Sequence, residues 1–570
     1  MNYPVFMKKV EEYAEQGDAD ELRVFIHNLA REVKQSDRDA FLTLLSDCCN
    51  IVPETKKKSN TIHSVTLEER VDALMARLQE IIEGEAELES EYNEEWDDWN
   101  DSEDDEFVFS DPDGLLADID SAFMLLHDCL DHEIYKKGAA LAEKLSEVRV
   151  QVSGDYCDYG EDGLSLYDLD CQDLLKSDYV SGIKEAVYLA FVGNEENQRA
   201  SVMLQMLKRF QNTDISLEDI LQTGTKEIDL DSFLPAWITE VAKEQSAYAE
   251  RLLLEAQMML MDDKKELQVA SQYASTHPML YVNYLKTRTD SNPEEMKAIG
   301  MKALDEVPLK RRERSDIALL TAKFALESTD TKCAAMCWME AFRTIPSVVS
   351  YLRIRLLSDQ WENISSTTRR EYEAYYKQLP EWDRTALAGL YFFDERFEDL
   401  LSKYMNTDKG IGWSSTFMKE GISLMLLSLK GDQDITGPGL KVMTEKAMYG
   451  CHFSAEAFCE GTNIDPGQNS EALFREVFAW WRETVLITEE EQEKWLKKIE
   501  EWISLRVEAI MTANRRNYYG ECAAFVAALG EVLESRGKKG AKNALMEEFR
   551  MEYNRRRAFH DELRRYGMRC

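Results

Sequence analysis

The sequence predicts an all-α fold: an irregular α-solenoid of helical hairpins, similar to tetratricopeptide repeats, with one acidic disordered insert. The 570 residues include 26 glycines and 11 prolines, well below average usage, so the turn residues of β-rich folds are scarce. Apolar residues recur at helical spacing along most of the chain. Prolines mark many joints between predicted helices, among them Pro278, Pro293 and Pro308.

Changes in composition and in the apolar period divide the chain into segments. The clearest boundaries are a polar run that begins at Pro53, an acidic block, and the glycines and prolines between Gly431 and Gly467. The predicted segments are N-terminal helical hairpins (1–50), a linker and a helix (51–82), the acidic disordered insert (83–113), a helical hairpin with an acidic loop (114–180), a helical solenoid (181–430), a linker region (431–470) and a C-terminal helical domain with a basic tail (471–570).

Acidic side chains occupy about half of the positions in 83–113, and no basic residue lies among them. Such a segment repels itself and has little apolar surface to bury, so it is predicted to be disordered. Trp96, Trp99, Phe107 and Phe109 interrupt the acids. This pattern is typical of segments that dock on a basic or apolar groove. The alternative is a solvating spacer whose aromatic residues touch their own protein body.

The clearest helical hairpin covers 315–346. Ala322, Ala334 and Ala341, with Pro346, match positions of the roughly 34-residue tetratricopeptide pattern. Small residues let two helices approach closely, and proline ends the second helix. The segment 181–430 is therefore predicted to be a stack of such hairpins.

The formal net charge of −40 bears on partners rather than on the fold. A surface this acidic repels nucleic acid and anionic lipid, so neither is an expected partner. The sequence begins without the basic-then-apolar layout of a signal peptide and contains no long apolar run, which predicts a cytoplasmic location. The 11 scattered cysteines are predicted to be reduced core residues rather than a disulfide framework.

The C-terminal tail, 536–570, has the opposite charge to the rest of the chain, with basic side chains outnumbering acids about two to one. Arg555, Arg556 and Arg557 are its densest cluster. One interpretation is an autoinhibitory contact between this tail and the acidic insert. The favoured alternative is that the three arginines pair with carboxylates on neighbouring helices.

Four stretches near the C-terminus resemble the tail of bacterial SWIM zinc-finger proteins. They are WISLRVEAI (502–510), RNYYGECAA (516–524), AALGEVLESRG (527–537) and RRRAFHDEL (555–563). The segments CWMEAFR (337–343) and SYLR (350–353), and the hairpin at 115–145, are similar to the helical body of the same proteins. The resemblance covers about 114–570 and is strongest in the last 70 residues. It implies a helical body that binds proteins, but the family's CxCxnCxH zinc motif is absent here.

Three groups of cysteine and histidine residues are candidate metal ligands. They are His127, Cys129 and His132; Cys333 and Cys337; and Cys451, His452 and Cys459. None has the four-ligand spacing of a zinc site. The second pair, four residues apart on one predicted helix, would chelate a soft metal if a partner pair of ligands approached it. An apparent calcium loop at 109–120 fails because phenylalanine occupies its first ligand position.

The chain contains no P-loop, HExxH, GxSxG or strand-borne GxGxxG motif, so no catalytic residue and no cofactor or metal is predicted. The predicted function is a non-enzymatic scaffold that binds a protein partner. The alternative is an effector or enzyme of unrecognised type that acts with an associated protein. A deep, carboxylate-lined pocket between 181–430 and 471–570 would favour that alternative.

Overall fold

The computed structural model describes residues 62–92, 107–154, 163–210, 215–405, 408–433, 437–465, 467 and 469–569. Most of these residues are helical, which confirms the predicted helical class. The predictions for 1–50 and for the linker that begins at Pro53 lie outside the described residues. Within the described residues, no helix is long and apolar enough to cross a membrane.

The helices alternate with short connections along the chain. The first half contains α1 (Ile62–Ile82), α2 (Leu115–Asp131), α3 (Tyr135–Ser146), α4 (Leu166–Cys171), α5 (Tyr179–Gly193), α6 (Arg199–Arg209), α7 (Leu217–Thr223), α8 (Leu230–Val241), α9 (Ala247–Met259), α10 (Asp263–Gln272), α11 (Met279–Lys286), α12 (Pro293–Glu306) and α13 (Arg314–Glu327). The second half contains α14 (Thr331–Thr344), α15 (Val348–Leu357), α16 (Trp361–Gln378), α17 (Ala388–Phe393), α18 (Phe397–Leu400), α19 (Met418–Ser428), α20 (Pro438–Gly450), α21 (Ala455–Cys459), α22 (Ser470–Thr484), α23 (Glu489–Thr512), α24 (Tyr519–Ser535), α25 (Ala541–Glu552) and α26 (Arg557–Arg565). Short 3-10 turns cover Glu381–Leu387, Trp413–Ser415 and Arg516–Tyr518, and a π-helical turn covers Leu401–Met405.

A small β-sheet corrects the prediction of a purely α-helical chain. Its strands are β1 (Glu87–Tyr92), β2 (Phe107–Ser110) and β3 (Gln151–Gly154), in the order β2-β1-β3. Strand β1 pairs antiparallel with β2, where Tyr92 faces Phe107, and parallel with β3. The sheet joins the start of the acidic insert to the chain that follows α3.

The prediction that 83–113 is disordered is therefore wrong for β1 and β2, while 93–106 lies outside the described residues. In β1 the acids alternate with Leu88 and Ser90, which are buried, so the carboxylates stay in solvent on the opposite face. This two-residue period is the signal of a half-buried strand. The high charge density of the segment masks that signal in the sequence.

We expect the two parts of the insert to respond differently to deletion. Replacing 93–106 with Asn-Gly joins Tyr92 to Phe107 through a two-residue turn and should leave the free energy of unfolding unchanged. Deleting 83–113 removes β1, exposes the surroundings of Leu88 and should cost about 3 kcal/mol. Urea unfolding of both variants measures the difference. Equal losses in the two variants would show that the sheet contributes nothing.

Within the segment predicted as a helical hairpin with an acidic loop, 114–180, α2 and α3 pack against each other. The prediction of an acidic loop after α3 is wrong in part, because helix α4 lies within that segment. Ser165 caps this helix by accepting a hydrogen bond from Asp168 N, and the Asp168 carboxylate accepts one from Ser165 N in return. An acid of the predicted loop is thus part of a helix cap.

Between α5 and α17, helices contact both their sequence neighbours and the next helix but one. Helix α13 packs on its neighbours α12 and α14 and also on α11. The same contact with the second helix along the chain joins α9 to α11, α14 to α16 and α15 to α17. Ala322, Ala334 and Ala341 are fully buried at the close contacts of α13 and α14. The predicted 315–346 hairpin is confirmed as this pair of helices.

Hydrogen bonds between neighbouring hairpins recur at nearly constant separations of 33 to 36 residues. They join Lys184 to Asp219, Lys208 to Glu244, Lys265 to Asp231, His277 to Ala242, Ser271 to Glu306, Arg311 to Thr276 and Lys297 to Asp330. Residues about 35 positions apart along this part of the chain therefore lie beside one another.

The linker predicted at 431–470 is also corrected, since α20 and α21 occupy much of it. Leu440, Met443 and Ala447 on α20 and Phe458 on α21 are buried. Pro438 stands at the first position of α20, where its missing N–H costs no helical hydrogen bond. Glycine and proline in this region mark a helix start and close helix contacts rather than a flexible connection.

Candidate binding cleft

A cleft of about 620 Å³ lies where α19, α20 and α22 meet. Its apolar lining comes from all three helices: Leu427, Pro438, Leu440, Phe474, Phe478 and Ala479. The α22 residues that line it recur at helical spacing, from Glu471 to Arg482, so one face of α22 forms a wall. An adjacent face of α22, with Leu473, Val477 and Trp481, is buried in the core.

Buried aromatic contacts fix the position of α22. Trp481 is buried and its indole Nε1 donates to the Phe393 carbonyl at 2.9 Å. The Phe478 ring packs against those of Trp481 and Phe474, with centroids 5.3 and 5.8 Å away. Such rings supply large apolar contact areas with defined geometry, so the cleft wall is rigid.

A buried carboxylate positions the first turn of α20. Glu531 of α24 is 1% exposed and accepts hydrogen bonds from Gly439 N at 3.2 Å and Leu440 N at 2.7 Å, with Lys542 Nζ at 2.6 Å. Glycine is required at position 439 because α20 and α24 lie close together there. A Cβ atom on residue 439 would lie 2.4 Å from Ala528 N. The N-terminal amides of α20 are thus occupied within the protein.

Most of the charged side chains around the cleft are basic. Lys430, Lys441, Arg475 and Arg482 line it together with one carboxylate, that of Glu471, which pairs with Arg475. Arg482 Nη2 donates to the Lys430 carbonyl at 2.6 Å, and burial lowers the pKa of the Arg482 guanidinium. In a chain of net charge −40, an apolar cleft with this basic rim is a local reversal of charge.

Of the predicted partner-binding aromatic residues, the two that the structure describes, Phe107 and Phe109, do not line this cleft. Phe107 and Phe109 lie on β2, where the Phe107 ring meets the Tyr92 ring edge to face at 5.9 Å. Phe109 packs against the core. Trp96 and Trp99 lie outside the described residues.

The predicted arginine cluster lies at the start of α26 and does not line the cleft either. Arg556 donates to Asn514 Oδ1 and to the Met511 carbonyl, both at 2.6 Å. It thereby satisfies a carbonyl at the C-terminal end of α23. Among the described residues, no ion pair joins Arg555, Arg556 or Arg557 to a carboxylate, which corrects the favoured interpretation of the tail.

The candidate metal ligands are mostly engaged elsewhere. His127 Nδ1 pairs with Glu185 at 2.7 Å, and burial raises the pKa of Cys129 to about 11. Cys451 and Cys459 are buried while His452 is exposed. Within the described ranges, no three His, Cys, Asp or Glu side chains converge as a metal-binding group.

The acids of the apparent calcium loop serve as caps. The Asp111 carboxylate accepts hydrogen bonds from Leu115 N and Leu116 N, each at 2.9 Å, at the start of α2. The Asp120 carboxylate accepts from Ser177 N at 2.9 Å. These contacts explain the acids without a bound cation.

Sequence reasoning missed the cleft because its three walls are far apart along the chain and the glycines and prolines of 431–470 favour a linker. The helical spacing of Phe474, Phe478 and Arg482 was a usable signal for the wall formed by α22. No protein-family model and no curated protein matches the chain, so the SWIM resemblance stays a prediction.

Proposed function

We propose that the protein is a non-enzymatic interaction scaffold, built as a solenoid of tetratricopeptide-like hairpins. We further propose that the cleft between α19, α20 and α22 binds an acidic peptide segment that carries an aromatic residue. The single observation that carries the proposal is the basic, apolar cleft in a strongly acidic chain.

The contacts between hairpins support the solenoid. Separations of 33 to 36 residues between hydrogen-bonded positions agree with a repeat of roughly 34 residues. In such an array each hairpin contacts its neighbours and the stack offers an extended surface for a partner.

The cleft chemistry supports the ligand class. Phe474, Phe478 and Leu440 offer an apolar floor for an aromatic side chain, while Lys441 and Arg475 on the rim attract carboxylates. Guanidinium groups also bind carboxylates through paired hydrogen bonds. An acidic–aromatic segment matches both properties, and residues 93–106 of this chain have that composition.

A deep, carboxylate-lined pocket between 181–430 and 471–570 would favour the alternative hypothesis that the protein is an enzyme. The cleft lies at that junction, but Glu471 is its one acidic lining residue and is paired with Arg475. General acid–base catalysis needs a positioned group with a matched pKa. The cleft favours binding over catalysis for this reason.

Titration of a fluorescent peptide of residues 93–106 tests the proposal. The receptor is the chain in which Asn-Gly replaces 93–106, so that its own segment does not compete. We expect micromolar binding that weakens about tenfold, or about 1.4 kcal/mol, in Lys441→Glu/Arg475→Glu. The matched control, Lys538→Glu/Lys539→Glu, reverses two exposed charges in the tail and should bind normally.

Salt gives an independent measurement on the same peptide. Binding should weaken between 0.1 M and 1 M salt, as the Debye length falls from about 10 Å to about 3 Å. A peptide with both tryptophans replaced by serine should bind more weakly at either salt. No binding, or equal binding by the two charge-reversed proteins, would reject the cleft as the peptide site.

A further inference from the structure

Three sulfur atoms from two helices lie close together beside the hairpin of α13 and α14. Met301 on α12 places its Sδ 3.8 Å from Cys333 Sγ and 3.9 Å from Cys337 Sγ. The two cysteines are four residues apart on α14, so they share one face of that helix. Both thiols donate to the thioether sulfur of Met301 at these distances. The sulfurs therefore form a triangle that the spacing of the cysteines alone does not show.

A second cleft, of about 500 Å³, reaches two of these three sulfur-bearing residues. Met301 and Cys337 line this cleft together with Met336 and Met339. Cys333 and Cys337 are buried, whereas the Met336 side chain is about half exposed. The cleft thus opens to solvent beside the buried Cys337 thiol, and the Met301 thioether on its wall is a weak, soft ligand.

We propose that Met301, Cys333 and Cys337 form a trigonal binding site for Cu(I). An ion about 2.3 Å from each of three sulfurs, the usual metal–thiolate length, would hold them about 4 Å apart. The two measured sulfur distances, 3.8 and 3.9 Å, are already close to that spacing. Mixed thiolate and thioether ligands select Cu(I).

Zinc fits this site less well than copper. Structural zinc is bound by four ligands, chiefly cysteine and histidine, in a tetrahedron. Among the described residues, no further His, Cys, Asp or Glu joins the two cysteines in a metal-binding group. The thioether of Met301 completes a three-sulfur set instead.

Charge and proton balance are consistent with Cu(I). Two thiols each lose a proton to solvent, and two thiolates with one Cu(I) leave a net charge of minus one. Cys333 lies in the first turn of the 14-residue helix α14, where the helix dipole stabilises negative charge. Three basic side chains, Lys332, Arg314 and Arg343, line the same cleft with two acids, Asp305 and Glu340, and Glu340 is paired with both arginines.

Competition for Cu(I) against bicinchoninate, followed by absorbance under anaerobic, reducing conditions, tests the site in the full-length protein. We expect the wild-type chain to bind one more equivalent than Cys333→Ser/Cys337→Ser, since the remaining cysteines are common to both. Met301→Leu keeps the side-chain volume and should weaken that equivalent at least roughly tenfold. Met336→Leu, in the same cleft, is the matched control and should bind like the wild type.

X-ray absorption of the copper-loaded protein should show three sulfur scatterers at about 2.3 Å. Equal stoichiometry in the wild type and the double serine variant would overturn the proposal. An affinity of Met301→Leu for Cu(I) equal to that of the wild type would also overturn it. Displacement of bound Cu(I) by an equimolar amount of Zn²⁺ would do the same. If the double variant does not fold by circular dichroism, Met301→Leu with its Met336→Leu control still decides the question.

Discussion

Replacing Glu531 with alanine is expected to lower the free energy of unfolding by roughly 3–5 kcal/mol. Its carboxylate is 1% exposed and bonds Gly439 N, Leu440 N and Lys542 Nζ. Alanine would leave the Lys542 ammonium and two amides of α20 without their partner. A partly buried ammonium and two buried amides left without a partner cost more than the pair contributes, so the loss is large.

Urea unfolding measures the loss, and amide exchange locates it. Exchange should accelerate first in α20, because its first turn depends on Glu531. Glu531→Gln keeps the size and one acceptor oxygen and should lose less than alanine. Glu476→Ala, at an exposed position on α22, is the control. A loss from Glu531→Ala no greater than from Glu476→Ala would contradict this role of the buried carboxylate.

Replacing Arg353 with alanine is expected to cost a similar amount, roughly 3–5 kcal/mol. Arg353 on α15 is 1% exposed, and its guanidinium donates to the carbonyls of Phe458, at 3.1 Å, and Ala457 in α21. These are last-turn carbonyls that lack helical partners. Alanine removes both hydrogen bonds and leaves a cavity between α15 and α21.

Arg353→Met separates packing from charge. Burial lowers the pKa of Arg353 to about 10, which reports the cost of holding the cation there. Methionine fills much of the volume without that cost, so we expect about half the loss seen with alanine. Urea unfolding of the two variants gives the comparison. Equal losses within about 0.5 kcal/mol would show that burial of the charge has no net cost.

The helical class and individual hairpins were predictable because apolar periodicity is local. Ala322 and Ala341 indicate the tight contact of α13 and α14 through their spacing alone, and both are buried there. The strand at Leu88 was missed because acids on its solvent face masked a two-residue period. In both cases the local sequence contained the signal. The prediction was right where the apolar period was given most weight and wrong where the charge density was.

The cleft and the sulfur triangle depend on contacts that no local pattern contains. Glu531 caps a helix whose first amides are about 90 residues earlier in the chain. Met301 reaches Cys333 across 32 residues and from another helix. Such pairings follow from tertiary packing, so a single sequence indicates the ligand types but not their meeting point.

Amide hydrogen exchange with and without the 93–106 peptide locates the peptide's binding site on the protein. The protein is again the variant in which Asn-Gly replaces 93–106, with and without saturating peptide. We expect added protection in the first turns of α20 and along α22, which form the cleft. Protection confined to the basic tail, in α25 and α26, or no change in α20 and α22, would contradict that expectation.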